Sequence, residues 1–292
     1  MTSRHYTPYW FVMRAFIVLG LIVIYPMIYN VINSTFSTPD YDRAAEFIGL
    51  KNYQVLLRDP RLYDALRLTI LWTVSCTCLQ YIVGLAAALL LNRKLSILRW
   101  VRPFYILPWI IPGVVAAMAF RFIYASDVGL INVTMRSLGL GSFTRAWIAN
   151  PDTAMGAAIL LGVWKGFPFY MIILLAGLQN IPVELTEAAR IDGANPWQVF
   201  RHITFPLLIP ISSISILLGV IATSNYFDGI YLLTGGGPAR ATQTLPIYIY
   251  NVAFSVFDLP KASAASVVLL ILVVIFASVY LFITQATRRR NA

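Results

Sequence analysis

Charged residues are scarce in this chain. They make up 12% of its 292 residues, whereas hydrophobic residues make up 59%. Soluble domains carry about 25% charged residues. The composition therefore argues against a soluble domain and predicts a protein that places most of its surface in lipid.

Residues that hold metals, form disulfides or perform catalysis are almost absent too. The chain has two cysteines and two histidines. Cys76 and Cys78 would project about 200° apart on a helix, so they are expected to form neither a disulfide nor a metal pair, and both are predicted to be small buried residues. His5 and His202 are isolated. We predict no metal site and no catalytic residue.

A phosphate-binding loop of the type G-x-x-x-x-G-K-[ST] is missing as well. Any ATP that drives this protein must therefore be bound by another chain. The net charge of +10 does not indicate nucleic-acid binding, because the basic residues are spread over separate loops and form no stripe.

Long apolar runs dominate what is present. A bilayer core of about 30 Å requires roughly 20 apolar residues in a helix. Six such runs occur, at residues 15–32, 68–91, 103–124, 155–178, 207–233 and 262–283. No small-residue cleavage site follows the first run, which is expected to be an anchor. We predict one all-α, polytopic transmembrane domain over residues 1–292.

The distribution of lysine and arginine predicts the orientation of these spans. With the N-terminus inside, basic residues far outnumber acidic ones in the inner segments, whereas the outer segments are nearly balanced. Basic loops are retained in the cytoplasm. We therefore expect both termini to be cytoplasmic.

One polar segment, residues 180–206, separates the fourth and fifth runs. Pro182 suits a first helical turn, and Glu184 and Glu187 complement the positive end of that helix. Gly193 and the Asn195-Pro196 pair interrupt it, and a second short helix is expected to end at Pro206. Such a segment is either an amphipathic connector or a knob that docks into a groove of a partner.

The sequence of this segment favours docking. Residues 187–208 read EAARIDGANPWQVFRHITFPLL, which resembles the EAA loop of binding-protein-dependent ABC importer permeases. The resemblance implies a type I importer core whose cytoplasmic coupling helix contacts an ATPase subunit. The residues that it implies for coupling are Glu187, Ala188, Ala189, Asp192 and Gly193. Phe205 stands where leucine commonly precedes the proline.

A second match follows the fifth run. Residues 225–238 read NYFDGIYLLTGGGP, with Thr242, Thr244 and Leu245 beyond them. This resembles a turn in the maltose-type permease that is usually encoded first of the two. Residues 47–53, FIGLKNY, are similar to an outer-loop element of sugar permeases. Together these features cover nearly the entire chain.

Small and aromatic residues line one face of the fourth and of the fifth run. The spacing places Gly162, Gly166 and Phe169 together, and likewise Gly219, Thr223 and Tyr226. Such faces serve either helix packing or a solute site. The resemblance favours the solute site and implies sugar contacts for Trp164, Gly166, Phe169, Gly219, Thr223 and Tyr226. Asparagines of the family are replaced by Gly162, Thr223 and Tyr226, so maltose itself is not expected.

Charged residues inside spans are costly and usually paired or functional. Lys165 and Asp228 are expected to snorkel or to pair locally, and the alternative for Lys165 is contact with an acidic solute. Asp228 and Asn225 are further polar candidates. An alternative hypothesis makes Lys165 and Asp228 the coupling pair of an ion- or proton-driven secondary transporter. Arg121 is expected to be an anchor at the membrane surface.

The resemblance implies a permease subunit that imports a carbohydrate or a carbohydrate-like solute and is not itself an enzyme. It implies four partners: a second permease, two ATPase subunits that bind ATP and Mg, and an extracytoplasmic solute-binding protein. The chain itself is expected to bind no cofactor. The implied location is the bacterial cytoplasmic (inner) membrane.

Overall fold

The computed structural model describes residues 7–38, 44–93 and 98–291, so His5 lies outside the described residues. Regular structure in these ranges is helical, apart from one isolated antiparallel bridge between Phe36 and Phe47. The helices are α1 (Thr7–Leu19), α2 (Tyr25–Asn33), α3 (Lys51–Leu57), α4 (Pro60–Leu91), α5 (Leu98–Ile110), α6 (Gly113–Ile123), α7 (Leu130–Ser137), α8 (Pro151–Gln179), α9 (Val183–Ile191), α10 (Pro196–Val199), α11 (Phe205–Ser224), α12 (Asp228–Thr234), α13 (Leu245–Phe254) and α14 (Leu259–Asn291).

The chain divides into two compact units. The first contains the described parts of residues 1–64 together with residues 248–274. Polar side chains connect its segments: Asn33 Nδ2 donates to Ser263 Oγ at 3.0 Å, and Ser263 Oγ donates to Asn30 Oδ1 at 2.9 Å. The Lys261 ammonium contacts the Asp59 carboxylate at 3.2 Å.

The second unit contains the described parts of residues 65–247 and 275–292. One buried cluster of this unit packs Trp72 of α4, Phe120 of α6 and Leu161 of α8 together. Another surrounds Tyr170 of α8 and Leu208 of α11. Because α8 contributes to both clusters, it is the element around which this unit is built.

Within the described part of the chain, five helical segments are long and apolar enough to cross a membrane: Val12–Asn33, Pro60–Leu91, Pro151–Gln179, Pro196–Ser224 and Leu259–Ala286. A sixth crossing requires that the pair Pro103–Ile110 and Gly113–Ile123 be counted as one, although the pair is bent by 99°. The bend lies at Ile111 and Pro112, where proline removes a backbone donor and disfavours a helical residue before it. The apolar run 103–124 is therefore two helices rather than one.

The structure corrects the predicted limits of the fifth run. Its helix ends at Ser224, and the remainder up to residue 233 belongs to the separate helix α12. At the other end, the second short helix does not end at Pro206, because helical structure continues from Pro196 to Ser224. A π-helical turn over Phe200–Thr204 ends two residues before Pro206. This wider turn accommodates a residue that has no N–H to donate.

The structure also corrects the expectation that both cysteines are buried. Cys76 is buried, whereas Cys78 is exposed. Residues two apart on a helix face nearly opposite directions. Only one of the two side chains can therefore face the neighbouring helices.

Candidate functional site

A cavity of about 510 Å³ lies within the second unit. Helices α4, α5, α8 and α11 and the turn after α11 form its walls. Its lining residues are Trp72, Gln80, Trp109, Gly162, Lys165, Gly166, Phe169, Tyr170, Leu218, Gly219, Ala222, Thr223 and Tyr226. A mostly apolar and aromatic wall with a few polar groups, at this volume, is typical of a small-molecule site.

Two stacked aromatic rings form one wall. The rings of Trp72 and Tyr226 lie 5.7 Å apart between centroids, with an interplanar angle of 12°. Trp72 Nε1 also donates to the Thr223 carbonyl oxygen at 3.0 Å, which holds α4 against the end of α11. The Tyr226 hydroxyl is buried and has no hydrogen-bond partner among the described residues. This wall therefore presents flat aromatic faces, while the Tyr226 hydroxyl itself is buried.

One charged side chain lines the cavity. Lys165 Nζ donates to the carbonyl oxygen of Ile111 at 2.6 Å, and Ile111 lies at the break between α5 and α6. The lining residues include no aspartate or glutamate. Since an ammonium group has three donors, two remain beyond the one that Ile111 occupies.

The glycines of the cavity wall allow the helices to approach closely. A Cβ atom at Gly162 would meet the Trp72 ring at 2.6 Å, and one at Gly166 would collide with the Gln80 amide. A Cβ atom at Gly219 would collide with the Tyr170 hydroxyl. Neighbouring side chains thus fill the space beside these glycines, which shows that they have a packing role.

The structure brings most of the predicted solute-site residues together. Gly166, Phe169, Gly219, Thr223 and Tyr226 all line the cavity.

Trp164 does not line this cavity. Its ring packs against the cluster around Phe120, at 5.3 Å between ring centroids. Trp164 and Lys165 are adjacent on α8 and so face about 100° apart. Only Lys165 of this pair faces the cavity.

Of the three polar residues that the sequence suggested as solute contacts, only one lines the cavity. Lys165 lines the cavity, whereas Asn225 and Asp228 do not. Asn225 Nδ2 donates to the Ile221 carbonyl oxygen at 2.8 Å. The Asp228 carboxylate lies against Gly113, at the start of α6.

The lining residues that were not identified from the sequence include Trp72, Gln80 and Trp109. Trp72 and Gln80 belong to α4, which shows too little difference between its faces to indicate which one is turned inwards. Gln80 nevertheless carries a signal, because an amide inside an apolar span usually has a partner or a function.

The polar segment between the fourth and fifth runs is largely exposed. Glu187, Ala188, Asp192 and Gly193 are exposed, and Ala189 is partly buried. Gly193 follows α9 with φ of +84°, which residues with a side chain rarely adopt.

This segment also exposes two large apolar side chains. Ile191 is 86% exposed and Trp197 is 64% exposed. The Asn195 side chain and Gln198 form a capping box that starts the following helix. Exposed apolar residues beside a rigid turn form a surface suited to a partner protein.

The described residues contain no group of three or more His, Cys, Asp or Glu that could hold a metal ion. The cavity and the exposed segment are therefore the two candidate functional features.

Comparison with known proteins identifies the class. Residues 80–291 match the family described as binding-protein-dependent transport system inner membrane component. The match covers more than half of the chain, so the chain belongs to this family. The prediction of an all-helical permease of this class is confirmed, as are its membrane location and its role as a transport subunit.

Two curated relatives match over most of their length. The probable ABC transporter permease protein YurN of Bacillus subtilis is 36% identical over 91% of this chain and 91% of its own. The trehalose/maltose transport system permease protein MalF of Thermococcus litoralis is 35% identical over 83% of this chain and 81% of its own.

A solved structure shares the fold. It is a chain of a bacterial ABC transporter involved in the import of the acidic polysaccharide alginate. Its TM-score is 0.84 at 21% identity, over 98% of this chain and 96% of that chain.

Proposed function

We propose that this chain passes a carbohydrate or a carbohydrate-like solute from an external binding protein into the cytoplasm. The observation that carries the proposal is the cavity with the stacked Trp72 and Tyr226 rings. Flat aromatic faces pack against the C–H faces of a sugar ring, and polar edges bind its hydroxyls. The name of the Thermococcus litoralis relative, a trehalose/maltose permease, supports the same solute class.

The proposed solute contacts follow from the cavity wall. Tyr226 and Phe169 supply aromatic faces, and Thr223 supplies a hydroxyl that donates or accepts. Gly166 and Gly219 let the neighbouring helices approach. Trp164 acts on the solute only indirectly in this proposal, because it packs against Phe120.

The energy source in this proposal is ATP hydrolysis on partner subunits. The assembly contains this chain, a second permease, two ATPase subunits that hold ATP and Mg, and an extracytoplasmic solute-binding protein. The exposed α9 and the turn at Gly193 are the proposed coupling surface. A transport subunit of this kind needs no nucleotide site or bound cofactor of its own.

The proposed topology has six crossings within a single transmembrane domain and both termini in the cytoplasm. It counts the bent pair of α5 and α6 as one crossing. The segment from α9 to Pro206 then lies on the cytoplasmic side, where ATPase subunits are found.

An ion-coupled carrier receives less support. That alternative needs Lys165 and Asp228 to act as a pair, but Lys165 contacts Ile111 and Asp228 contacts Gly113. The Lys261–Asp59 ion pair is the one observed within the described ranges 7–38, 44–93 and 98–291. Neither Lys165 nor Asp228 takes part in it.

Uptake by the whole transporter tests the proposal. The probes are radiolabelled sugars, beginning with trehalose and maltose. We expect Tyr226→Ala to lower sugar uptake at least tenfold, because a truncated aromatic ring in a binding site typically costs that much affinity. Assembly with the ATPase subunits is expected to persist.

Phe227→Ala is the matched control, since Phe227 is adjacent and aromatic but packs outside the cavity. Equal loss of uptake in both variants would argue against a solute site at Tyr226. If no sugar is transported by the wild type, the proposed solute class is wrong.

A further inference from the structure

Gln80 is a buried amide within the apolar helix α4. Its side chain lines the cavity and is 7% exposed. Its Nε2 donates to the carbonyl oxygen of Gly162 on α8 at 2.9 Å. An amide at this depth is costly unless its polar atoms find partners.

The hydrogen bond to Gly162 determines which way the amide is turned. A carbonyl oxygen only accepts, so the NH₂ group of Gln80 must face it. The Oε1 atom consequently lies on the opposite edge of the planar amide group, away from the Gly162 carbonyl oxygen. The described residues provide Oε1 with no donor, whereas Nε2 has the Gly162 carbonyl oxygen as an acceptor.

Gly166 gives this amide its place. A Cβ atom at position 166 would lie 2.5 Å from the Gln80 Cδ and 3.0 Å from Oε1. The Cβ atom would also collide with Nε2 of Gln80, so any side chain at position 166 would displace the amide. The position of Oε1 therefore depends on glycine at 166.

Gln80 also supplies what the other polar groups of the cavity lack. Lys165 and the two tryptophans of the wall only donate hydrogen bonds, while Thr223 and the tyrosines carry hydroxyls. No carboxylate is among the lining residues. Among the polar side-chain atoms of the lining residues, Gln80 Oε1 is thus the one that can only accept a hydrogen bond.

We propose that Gln80 determines solute specificity by accepting a hydrogen bond from a solute hydroxyl at Oε1. This inference rests on the proposed function, because it requires a hydroxylated solute in the cavity. A site that is built to bind a hydroxyl discriminates strongly against an analogue that lacks it, since the buried polar atom is then left unpaired. The amide is held ready for this task by Gly162 and Gly166.

A purely structural role would give a different result. The Gln80–Gly162 bond also connects α4 to α8, and loss of that connection should affect every solute equally. Tyr124→Phe is the matched control, because the Tyr124 hydroxyl donates to the Ala157 carbonyl oxygen of α8 at 2.9 Å and lies outside the cavity. Both variants remove one side-chain hydrogen bond to the backbone of α8.

The experiment uses the complete transporter in proteoliposomes. The probes are radiolabelled trehalose, maltose and further neutral sugars, each with its monodeoxy analogues. We expect Gln80→Met to lower kcat/KM for the transported sugar about tenfold and to leave one monodeoxy analogue at its wild-type value. Tyr124→Phe is expected to preserve the wild-type ratio between the sugar and that analogue.

A second variant acts on Gln80 without replacing it. Gly166→Ala displaces the Gln80 amide, so it should also reduce the discrimination between the sugar and its monodeoxy analogue. When it is combined with Gln80→Met, it should cause no further loss of this discrimination.

Two results would overturn the inference. Equal losses for the sugar and all its monodeoxy analogues would make Gln80 a structural residue. Failure of the wild type to transport any sugar of the panel would contradict the proposed function and, with it, this inference.

Discussion

Lys165 Nζ donates a 2.6 Å hydrogen bond to the carbonyl oxygen of Ile111. This oxygen lies just beyond the end of α5, where the pair of α5 and α6 bends by 99°. The carbonyl end of a helix carries partial negative charge, so an ammonium group stabilises it. The charged Lys165 side chain, which lies within an apolar segment, therefore stabilises the break between α5 and α6.

On the other side of the break, at the start of α6, a carboxylate contacts the helix end. The Asp228 carboxylate lies against Gly113, the first residue of α6. The N-terminus of a helix carries partial positive charge, which a carboxylate stabilises. Lys165 and Asp228 thus each match the helix end that they contact, and this explains two charges that the sequence alone left open.

Loss of the lysine should destabilise the bend. We expect Lys165→Met to lower the stability of the chain by about 2 kcal/mol, since hydrogen bonds to charged groups contribute about that much. Thermal unfolding of the purified transporter in detergent measures the change. Arg121→Met, which removes an exposed cation from α6, is the control and should unfold near the wild-type temperature. An unchanged unfolding temperature for Lys165→Met would show that the Ile111 contact contributes nothing.

Gly219 should tolerate no side chain. Because a Cβ atom there collides with the Tyr170 hydroxyl, Gly219→Ala is expected to destabilise the protein by about 1–3 kcal/mol. Gly156→Ala is the control on α8, since nothing lies within 4 Å of its Cβ position. Alanine in that helix should be neutral or stabilising by up to about 1 kcal/mol.

Thermal unfolding of the variants also tests the cause of the Gly219 effect. Adding Tyr170→Phe to Gly219→Ala removes the colliding oxygen and should restore part of the lost stability. If Gly219→Ala and Gly156→Ala unfold alike, α8 and α11 are further apart than the structure indicates.

The Asp59–Lys261 pair makes stability depend on pH. Burial alone would raise the pKa of Asp59, but hydrogen bonds from the Arg61 N–H, Lys261 and Tyr248 outweigh it and lower the pKa below its ordinary value of 3.8. A carboxyl with a lowered pKa stabilises the folded state above the unfolded pKa, and this contribution is lost as pH falls through the folded pKa. Asp59→Asn should therefore be less stable than the wild type at pH 7.

Measuring the free energy of unfolding as a function of pH tests the direction of this effect. The difference in the free energy of unfolding between the wild type and Asp59→Asn is expected to shrink as the pH falls below about 4. There the carboxyl is protonated first in the unfolded state and then, at lower pH, in the folded state. Asp64→Asn changes an exposed carboxyl and should follow the wild-type profile. A difference that stays constant down to pH 2 would exclude ionisation of Asp59 as its cause.

The turn after α9 should be required for coupling to ATP hydrolysis. Gly193 has φ of +84° and its N–H donates to the Arg190 carbonyl oxygen at 3.1 Å. Proline allows neither feature, because its ring fixes φ near −65° and removes the donor. Gly193→Pro is expected to abolish sugar uptake while ATP hydrolysis continues. Glu187→Lys should have the same effect, because it reverses an exposed charge on α9.

Gly139→Pro is the matched control for this turn. Gly139 also follows a short helix, with φ of +76° and an N–H that donates to the Arg136 carbonyl oxygen at 3.1 Å. In the proposed topology it lies on the outer side, away from the ATPase subunits. Gly139→Pro should keep uptake and ATP hydrolysis in their wild-type ratio, and coupled transport by Gly193→Pro would rule out the proposed role of this turn.

Much of the architecture could be predicted from local sequence. Apolar runs indicate helices that cross a bilayer, because their length must match the thickness of its core. The polar EAARIDGA segment indicates an exposed element, because such residues between two spans have no place in lipid. The limits of the helices were harder to predict, since Pro206 stops no helix where a π-helical turn precedes it.

The site was predictable only in part. Helical spacing brought Gly166, Phe169 and Thr223 onto cavity-lining faces. The resemblance, however, assigned Trp164 to the solute, and neither kind of reasoning indicated Gln80. Both errors concern the direction of side chains on helices that are apolar on all sides. On such helices hydrophobic periodicity does not distinguish a cavity from a packed core.

The sequence by itself determined the number of apolar segments and the exposed segment at residues 180–206, because these follow from composition and from contacts between near neighbours in the chain. Its motifs also carried the resemblance that gave the class of protein. Only the tertiary structure decided that Gln80 occupies the space beside Gly166, that Trp164 packs against Phe120 and that Lys165 stabilises the break at Ile111. Each of these contacts joins residues from different helices. Their geometry depends on how closely the helices approach, and no local pattern of residues specifies that distance.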